Sequence, residues 1–254
     1  NVFKGIGYGI NNKKMIYPAS LVKLIYGLAS YCWIKEGKLI LTEELSEAVN
    51  KMLQHSSNNA TSFLVDLLTG TTSGPCIEGE LWENWKYQRS IINDWLNHIN
   101  WEEFDGTNCC QKTWDDGPFG REKEFYGYEN KNRNLMSTDA TARVFEEIMI
   151  HIDYQNNDLN LKNFLKRNLN KVFFKDDPQN QIEGFLGEGL PESTFFWSKA
   201  GLMSEVRHDA AWWINSQSLQ TLLVVFGNGH AYFRDSSFLP AIAKEIYEYN
   251  KFFV

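Results

Sequence analysis

The chain has 254 residues, a length that fits one large domain or two interleaved lobes. Apolar residues make up 43% and charged residues 22% of the sequence, which is usual for a soluble folded protein. The net charge of −7, with no local cluster of lysine and arginine, argues against a nucleic acid as the main partner. No apolar run approaches the roughly 20 residues of a membrane-spanning helix.

The first part of the sequence predicts short strands followed by apolar helices. Residues 3–17 are typical of one or two strands around a polar turn at residues 11–14. Pro18 ends this segment, and apolar residues then recur at helical spacing over residues 20–33. The same criteria predict further helices at residues 42–54, 58–69 and 87–99.

The second part begins with a long polar segment and ends in strands. Residues 109–134 lack a hydrophobic period, and a connection of this length predicts a functional loop over a site. Helices are predicted over residues 137–152, 159–169 and 237–252, and strands at 195–200, 210–215 and 219–227. We therefore expect a single α/β domain over residues 1–254. It has an antiparallel sheet lobe (1–19 and 175–254) flanked by terminal helices, and an all-helical lobe (20–174).

The four cysteines give no metal-binding pattern. No C-x-x-C pair is present, and the histidines are scattered without zinc spacing. Cys32 lies in an apolar helix and is predicted to be a buried thiol. Cys76 could form a disulfide with Cys109 or Cys110 in an oxidising compartment, but spacing alone does not decide this.

Ser20 and Lys23 form the first string that points to chemistry. The two residues are three apart at the start of a predicted helix, so their side chains lie on one face, one turn apart. The positive end of the helix dipole favours an alkoxide at Ser20 and helps to lower the pKa of Lys23, which could then act as a base. The alternative is an N-cap serine followed by a solvated lysine.

Two later strings complete a pattern. Ser57-Asn-Asn59 precedes an apolar helix, and Lys199-Ala-Gly201 ends a predicted strand. Each has a structural alternative, a polar helix cap and a strand end with a turn glycine. In this order, the three strings resemble the S-x-x-K, S-x-N and K-T-G motifs of serine β-lactamases and penicillin-binding proteins. The flanking segments 17–24 and 134–143 resemble that superfamily too, most closely its class A β-lactamases.

The resemblance implies an active-site serine hydrolase that forms an acyl-enzyme on a β-lactam or amide carbonyl and then hydrolyses it. It implies catalytic roles for Ser20, Lys23 and Lys199, while Ser57 would pass the proton to the leaving nitrogen. Five residues would bind the substrate: Asn59, Ala200, Gly201, Leu202 and Arg207. The backbone amides of Ser20 and Leu202 would form the oxyanion hole. No metal and no organic cofactor is implied.

The family also suggests a substrate and a compartment. The expected partner is a small molecule or peptide of the β-lactam or D-alanyl-D-alanine kind. Because members usually act on cell-wall peptides or their mimics, a periplasmic or secreted location is expected, although no signal peptide opens this chain.

Three departures from the family pattern leave alternatives open. The E-x-x-L-N string, whose Glu activates the deacylating water, is absent, and Glu122, Glu124 and Glu129 are only candidates for that base. Asn58 stands where Asp is usual, and Ala200 replaces a hydroxyl residue for which Arg207 could compensate. The alternatives are a D-alanyl-D-alanine carboxypeptidase or esterase, or a penicillin-binding sensor that does not turn over. Asp115 and Asp116 also lie in the long loop, where charges are usually solvated.

Overall fold

The computed structural model describes residues 6–154, 159–175, 177, 180–203 and 205–250. A 3₁₀ turn at Ala19–Leu21 leads into helix α1. Within these ranges the α-helices are α1 (Val22–Lys35), α2 (Glu43–Gln54), α3 (Asn58–Thr69), α4 (Gly79–Arg89), α5 (Ile91–Ile99), α6 (Gly120–Tyr126), α7 (Thr138–Glu146), α8 (Leu161–Leu165), α9 (His230–Arg234) and α10 (Phe238–Asn250). The strands are β1 (Lys166–Arg167), β2 (Phe195–Met203), β3 (Val206–Ile214) and β4 (Gln220–Asn228).

The strands form one antiparallel sheet in the order β1-β2-β3-β4. Side chains alternate between its two faces, so neighbouring tryptophans on β3 enter different cores. Trp212 packs with the helices of the main core, and Trp213 packs with α10 in a second core. This arrangement confirms the predicted mixed α/β class, and it places the sheet between a helical layer and the last helix.

The N-terminal segment differs from the expectation of strands at both ends of the sheet. Residues 6–17 form no strand, and only Ile16 makes an isolated antiparallel bridge, to Met136. Residues 3–5 of the predicted strands lie outside the described part of the chain. The described sheet instead takes its short edge strand β1 from the range predicted as the helical lobe, because the helix expected at 159–169 ends at Leu165.

Helix α1 is buried around most of its circumference, and this fixes the segment that carries Ser20. Eleven of its residues are buried, including Lys23 and Tyr26. The long loop is also more ordered than its composition suggests, since it contains α6. No helix in the described ranges is long and apolar enough to cross a membrane.

The structure contains free thiols at the four cysteine positions. Cys109 lies in the main core, and Cys110 packs in a separate aromatic cluster with Trp85. Cys76 is exposed. The suggested disulfide is therefore not formed, because its members lie in different environments.

Candidate active site

Ser20 and Lys23 meet at the start of α1, as their spacing predicts. The Lys23 ammonium donates a hydrogen bond to Ser20 Oγ at 3.1 Å. Lys23 is fully buried, whereas Ser20 keeps partial exposure. Burial lowers the pKa of Lys23 to about 7, and the negative charge of Asp115 opposes part of that change. A neutral fraction of Lys23 near pH 7 can accept the serine proton.

Ser56 joins the two lysines of the site. Its Oγ lies 3.1 Å from Lys23 Nζ and 2.9 Å from Lys199 Nζ. Its backbone has a positive φ of 57°, which turns the chain between α2 and α3 and directs the side chain between the lysines. The predicted residue, Ser57, is instead the N-cap of α3 and accepts from the Ala60 amide at 3.2 Å. These contacts favour a second motif that begins one residue earlier, at Ser56.

The same shift applies to the asparagine of the motif. Asn58 Oδ1 accepts from Lys23 Nζ at 2.8 Å, while the predicted Asn59 has an exposed side chain. The sequence Ser56-Ser-Asn-Asn59 contains S-x-N in two registers. In the register that begins at Ser56, Ser57 is the middle residue. The preference of serine for helix N-caps could have marked Ser57 as a cap rather than a site residue, because α3 begins at Asn58.

Lys199 is fully buried on β2 and directs its ammonium toward Ser56. Besides the bond to Ser56, it donates to Gln181 Oε1 at 2.8 Å and to its neighbouring Ala200 carbonyl at 2.9 Å. Burial lowers its pKa well below the usual value, as do the positive charges of Lys23 and Arg167. A continuous chain of hydrogen bonds therefore runs from Ser20 through Lys23 and Ser56 to Lys199.

Gly201 lets β2 approach the turn that carries Ser20. A Cβ at Gly201 would lie 2.9 Å from the Pro18 carbonyl oxygen and 3.3 Å from Ser20 N. The Ala200 amide donates to the Gln181 side chain, so it points to the edge of β2 away from β3. Amides alternate along a strand, and the Leu202 amide therefore points to the same edge.

Arg207 lies on the other side of the sheet from Lys199. Its register partner is Leu202, and its guanidinium donates to the backbone carbonyls of Gly184 (2.9 Å) and Phe233 (3.0 Å from Nη2). These bonds hold the side chain away from the lysine-containing face. The predicted contact of Arg207 with a substrate carboxylate thus has no geometric support.

Comparison with known proteins identifies the family. The model of the "Beta-lactamase enzyme family" matches residues 42–250. The chain belongs to this family. The matched range begins after Ser20 and Lys23, so their place in the site rests on the contacts described above. No curated protein sequence matches the chain significantly.

Solved structures share the fold at low sequence identity. An ancestral class A β-lactamase has a TM-score of 0.63 at 14% identity, covering 94% of this chain and 87% of its own. A β-lactamase from Xanthomonas campestris pv. campestris has a TM-score of 0.62 at 16% identity, with coverages of 95% and 86%. A mutant of PBP-A, in its acyl-enzyme complex with penicillin G, has a TM-score of 0.64 at 14% identity, with coverages of 95% and 84%. This similarity shows the β-lactamase fold.

The glutamates considered as water-activating bases form no hydrogen bond or ion pair with Ser20, Lys23, Ser56 or Lys199 in the described part of the chain. Glu122 is buried and pairs with Arg89 at 2.8 Å, with Lys112 at 3.6 Å. Glu124 and Glu129 are exposed. The ion pairs attach α6 to Arg89 at the end of α4 and to the loop residue Lys112, which indicates a structural role for Glu122.

Asp115 is a carboxylate of the long loop that contacts Asn58. Its Oδ1 accepts from Asn58 Nδ2 at 2.7 Å, and Asn58 Nδ2 also donates to the Trp114 carbonyl at 3.2 Å. Because Asn58 contacts Lys23, this carboxylate lies one hydrogen-bonded side chain away from Lys23. The expectation that Asp115 is a solvated loop charge is borne out by its exposure, but its contact with Asn58 was not foreseen. Its position after Trp114, within a loop expected to cover a site, was the available signal.

His208 supports the segment before Ser20. Its Nε2 lies 3.0 Å from the Tyr17 carbonyl, and its ring stacks on Phe226 at 4.3 Å between centroids. Burial lowers the pKa of His208 to about 4, so the ring is neutral near pH 7 and Nε2 donates the hydrogen bond. The ring is fully buried and does not line the cleft.

Proposed function

We propose that this protein is a serine hydrolase of the β-lactamase type, which forms an acyl-enzyme at Ser20 on a β-lactam or related amide. The observation that carries the proposal is the unbroken hydrogen-bonded chain Ser20–Lys23–Ser56–Lys199. This chain supplies a nucleophile, a buried amine that can be neutral at pH 7, and a hydroxyl placed to carry a proton.

Acylation begins when neutral Lys23 takes the proton of Ser20, and Ser20 Oγ attacks the carbonyl carbon. As the carbon–nitrogen bond breaks, Ser56 gives its proton to the leaving nitrogen and receives one from the Lys23 ammonium. Lys23 is then neutral again, and the protons balance. Lys199 Nζ donates a hydrogen bond to Ser56 Oγ and would stabilise negative charge on that oxygen during this transfer.

Two backbone amides are the proposed oxyanion hole. The Ser20 amide lies beside Gly201, and the Leu202 amide points to the open edge of β2. Both would donate to the carbonyl oxygen as its negative charge develops. Removal of one such donor in hydrolases of this general kind costs roughly 10²–10³ in rate.

Deacylation requires a base for water, and Asp115 is our candidate. It would take a proton from water as the hydroxide attacks the acyl ester. The exposed carboxylate would release that proton to solvent, neutral Lys23 would take up one in its place, and Lys23 would donate it to Ser20 as the ester bond breaks. The charge coupling between Asp115 and Lys23 supports this assignment. Asn58 would hold both groups in place, and its amide would also contact the substrate.

The test is reaction with a fluorescent penicillin, followed by intact-protein mass spectrometry, alongside hydrolysis of a chromogenic cephalosporin. The proposal predicts a Ser20-dependent adduct that decays with turnover, no reaction in Ser20→Ala, and a longer-lived adduct in Asp115→Asn. A wild-type protein that neither forms an adduct nor turns over would refute β-lactams as substrates.

A second candidate is a penicillin-binding protein or D-alanyl-D-alanine peptidase that retains the acyl group from β-lactams. The exposure of Asp115 favours it, because a solvated carboxylate is a weak base for water. A stable wild-type adduct whose lifetime is unchanged in Asp115→Asn would support this candidate. Release of D-alanine from a D-alanyl-D-alanine peptide would identify the peptidase.

A further inference from the structure

Gln181 is a buried side chain that contacts the Lys199 side of the site, although none of the three motifs includes it. Its Oε1 accepts two hydrogen bonds, from Lys199 Nζ at 2.8 Å and from the Ala200 amide at 2.9 Å. Its Nε2 donates to the Gln54 carbonyl at 2.9 Å. Both polar atoms of this side chain are therefore used: Oε1 contacts β2, and Nε2 contacts the end of α2.

We propose that Gln181 is a positioning residue that holds the Lys199 ammonium against Ser56. This inference rests on the proposed function, in which Ser56 carries a proton between Lys23 and the leaving nitrogen. Gln181 fixes both sides of the contact. It holds Lys199 directly, and it holds Gln54, which lies two residues before Ser56.

The charges around Lys199 explain why a neutral acceptor is needed there. Lys23 on α1 and Arg167 on β1 both repel the ammonium, while Asp209 on β3 attracts it. Burial raises the pKa of Asp209 well above its usual value, which favours its neutral form and weakens that attraction. The Gln181 carbonyl oxygen therefore supplies an oriented acceptor where the nearby net charge is unfavourable.

A purely structural role for Gln181 would have a different signature. A side chain that only joins β2 to α2 would affect unfolding and leave the titration of Lys199 unchanged. A side chain that holds the ammonium must change that titration when its acceptor is removed or is given a negative charge. The two roles can therefore be separated by measuring the pKa of Lys199 directly.

The experiment compares Gln181→Met, which keeps the length but removes both polar atoms, with Gln181→Glu, which adds a negative charge. Gln54→Met is the matched control. The Gln54 side chain lines an adjoining cavity of about 630 Å³, and the substitution retains the backbone carbonyl that Gln181 contacts. Lysine labelled with ¹³C at Cε reports each lysine pKa by NMR, and Lys199→Arg identifies the signal. The pH dependence of labelling by fluorescent penicillin and urea denaturation are measured in parallel.

We expect Gln181→Glu to raise the pKa of Lys199 by about one unit or more, and the corresponding limb of the labelling profile to move with it. Gln181→Met should slow labelling about tenfold, the usual effect of losing a hydrogen bond to a charged group. Gln54→Met should change neither quantity. If Gln181→Met fails to fold, Gln181→Glu still tests the pKa.

The inference is overturned if the Lys199 pKa is the same in wild type and Gln181→Glu, or if labelling by Gln181→Met is as fast as wild type. A wild-type protein that is not labelled at all, but whose Lys199 pKa falls in Gln181→Met, where the acceptor is lost without an added charge, would refute the proposed function and retain the positioning role.

Discussion

The two adjacent serines before α3 provide a sharp test of the site, because the structure gives them different roles. Ser56→Ala removes the only side-chain atom that contacts both Lys23 and Lys199 within the described residues. Loss of a positioned proton carrier typically costs roughly 10²–10⁴ in rate, so we expect labelling of Ser20 to slow by at least about 100-fold. The two buried amines also lose an acceptor, which should lower stability by about 1–3 kcal/mol.

Ser57→Ala makes the same chemical change one residue later and serves as the control. Ser57 Oγ accepts from the Ala60 amide, and that bond caps α3. Its removal should lower the free energy of unfolding by about 1 kcal/mol, the usual value of a helix N-cap. We expect the labelling rate to stay within about twofold of wild type, because surrounding site geometry is retained.

The assay measures the rate of covalent labelling by a fluorescent penicillin and the urea midpoint for the two variants and wild type. Ser56→Ala should lose rate far beyond its loss of stability, and Ser57→Ala should show the reverse. If Ser57→Ala abolished labelling while Ser56→Ala retained it, the hydrogen-bonded chain through Ser56 could not be the proton path. The S-x-N motif would then have the register that sequence alone suggested.

Three further predictions follow from buried charges. The labelling rate should rise as pH increases through about 7, because Lys23 is protonated below that pKa and neutral above it; a flat profile from pH 6 to 8 would contradict its role as base. The folded state lowers the pKa of His208 to about 4, so its neutral form contributes stability above the unfolded pKa of about 6.5. That stability is lost as pH falls from about 6.5 to 4, and the loss between pH 7 and 5 is about 2 kcal/mol. Urea denaturation should show this pH-dependent loss in wild type and a smaller one in His208→Gln. Glu122→Gln should reduce the free energy of unfolding by about 1–3 kcal/mol, because Arg89 and Lys112 lose one of the two carboxylates they share while Asp66 still pairs with both; an unchanged urea midpoint would show that the Glu122 ion pairs contribute nothing net.

Helices α1 and α3 were predictable because their signals are local, whereas α4 was not predicted and the helix expected at 87–99 divides between α4 and α5. Apolar residues at helical spacing marked α1, and a cap with an apolar stripe marked α3. The strands β2 to β4 were indicated in the same way, but their ends were not, since antiparallel pairing extends β2 to Met203. Residues 6–17 have a strand-like composition, yet their only β-pairing is the bridge from Ile16 to Met136. Strand formation depends on an available partner edge, which the local sequence does not reveal.

Sequence by itself determined the meeting of Ser20 with Lys23, because three residues at a helix start place two side chains on one face. It also determined the chain order of the motifs, and from that order the family. It could not choose between Ser56 and Ser57, since both fit the motif and only the packing of α2, α3 and β2 shows which hydroxyl lies between the lysines.

Tertiary structure alone brought Gln181 and Asp115 to this site. Gln181 is far from Ser56 in sequence, and Asp115 comes from a loop without a periodic pattern. Their roles depend on the distances and charges that folding creates around Lys23 and Lys199, so no spacing rule identifies them. The same physical reason explains Glu122, whose burial with two cations made it part of the framework rather than a base.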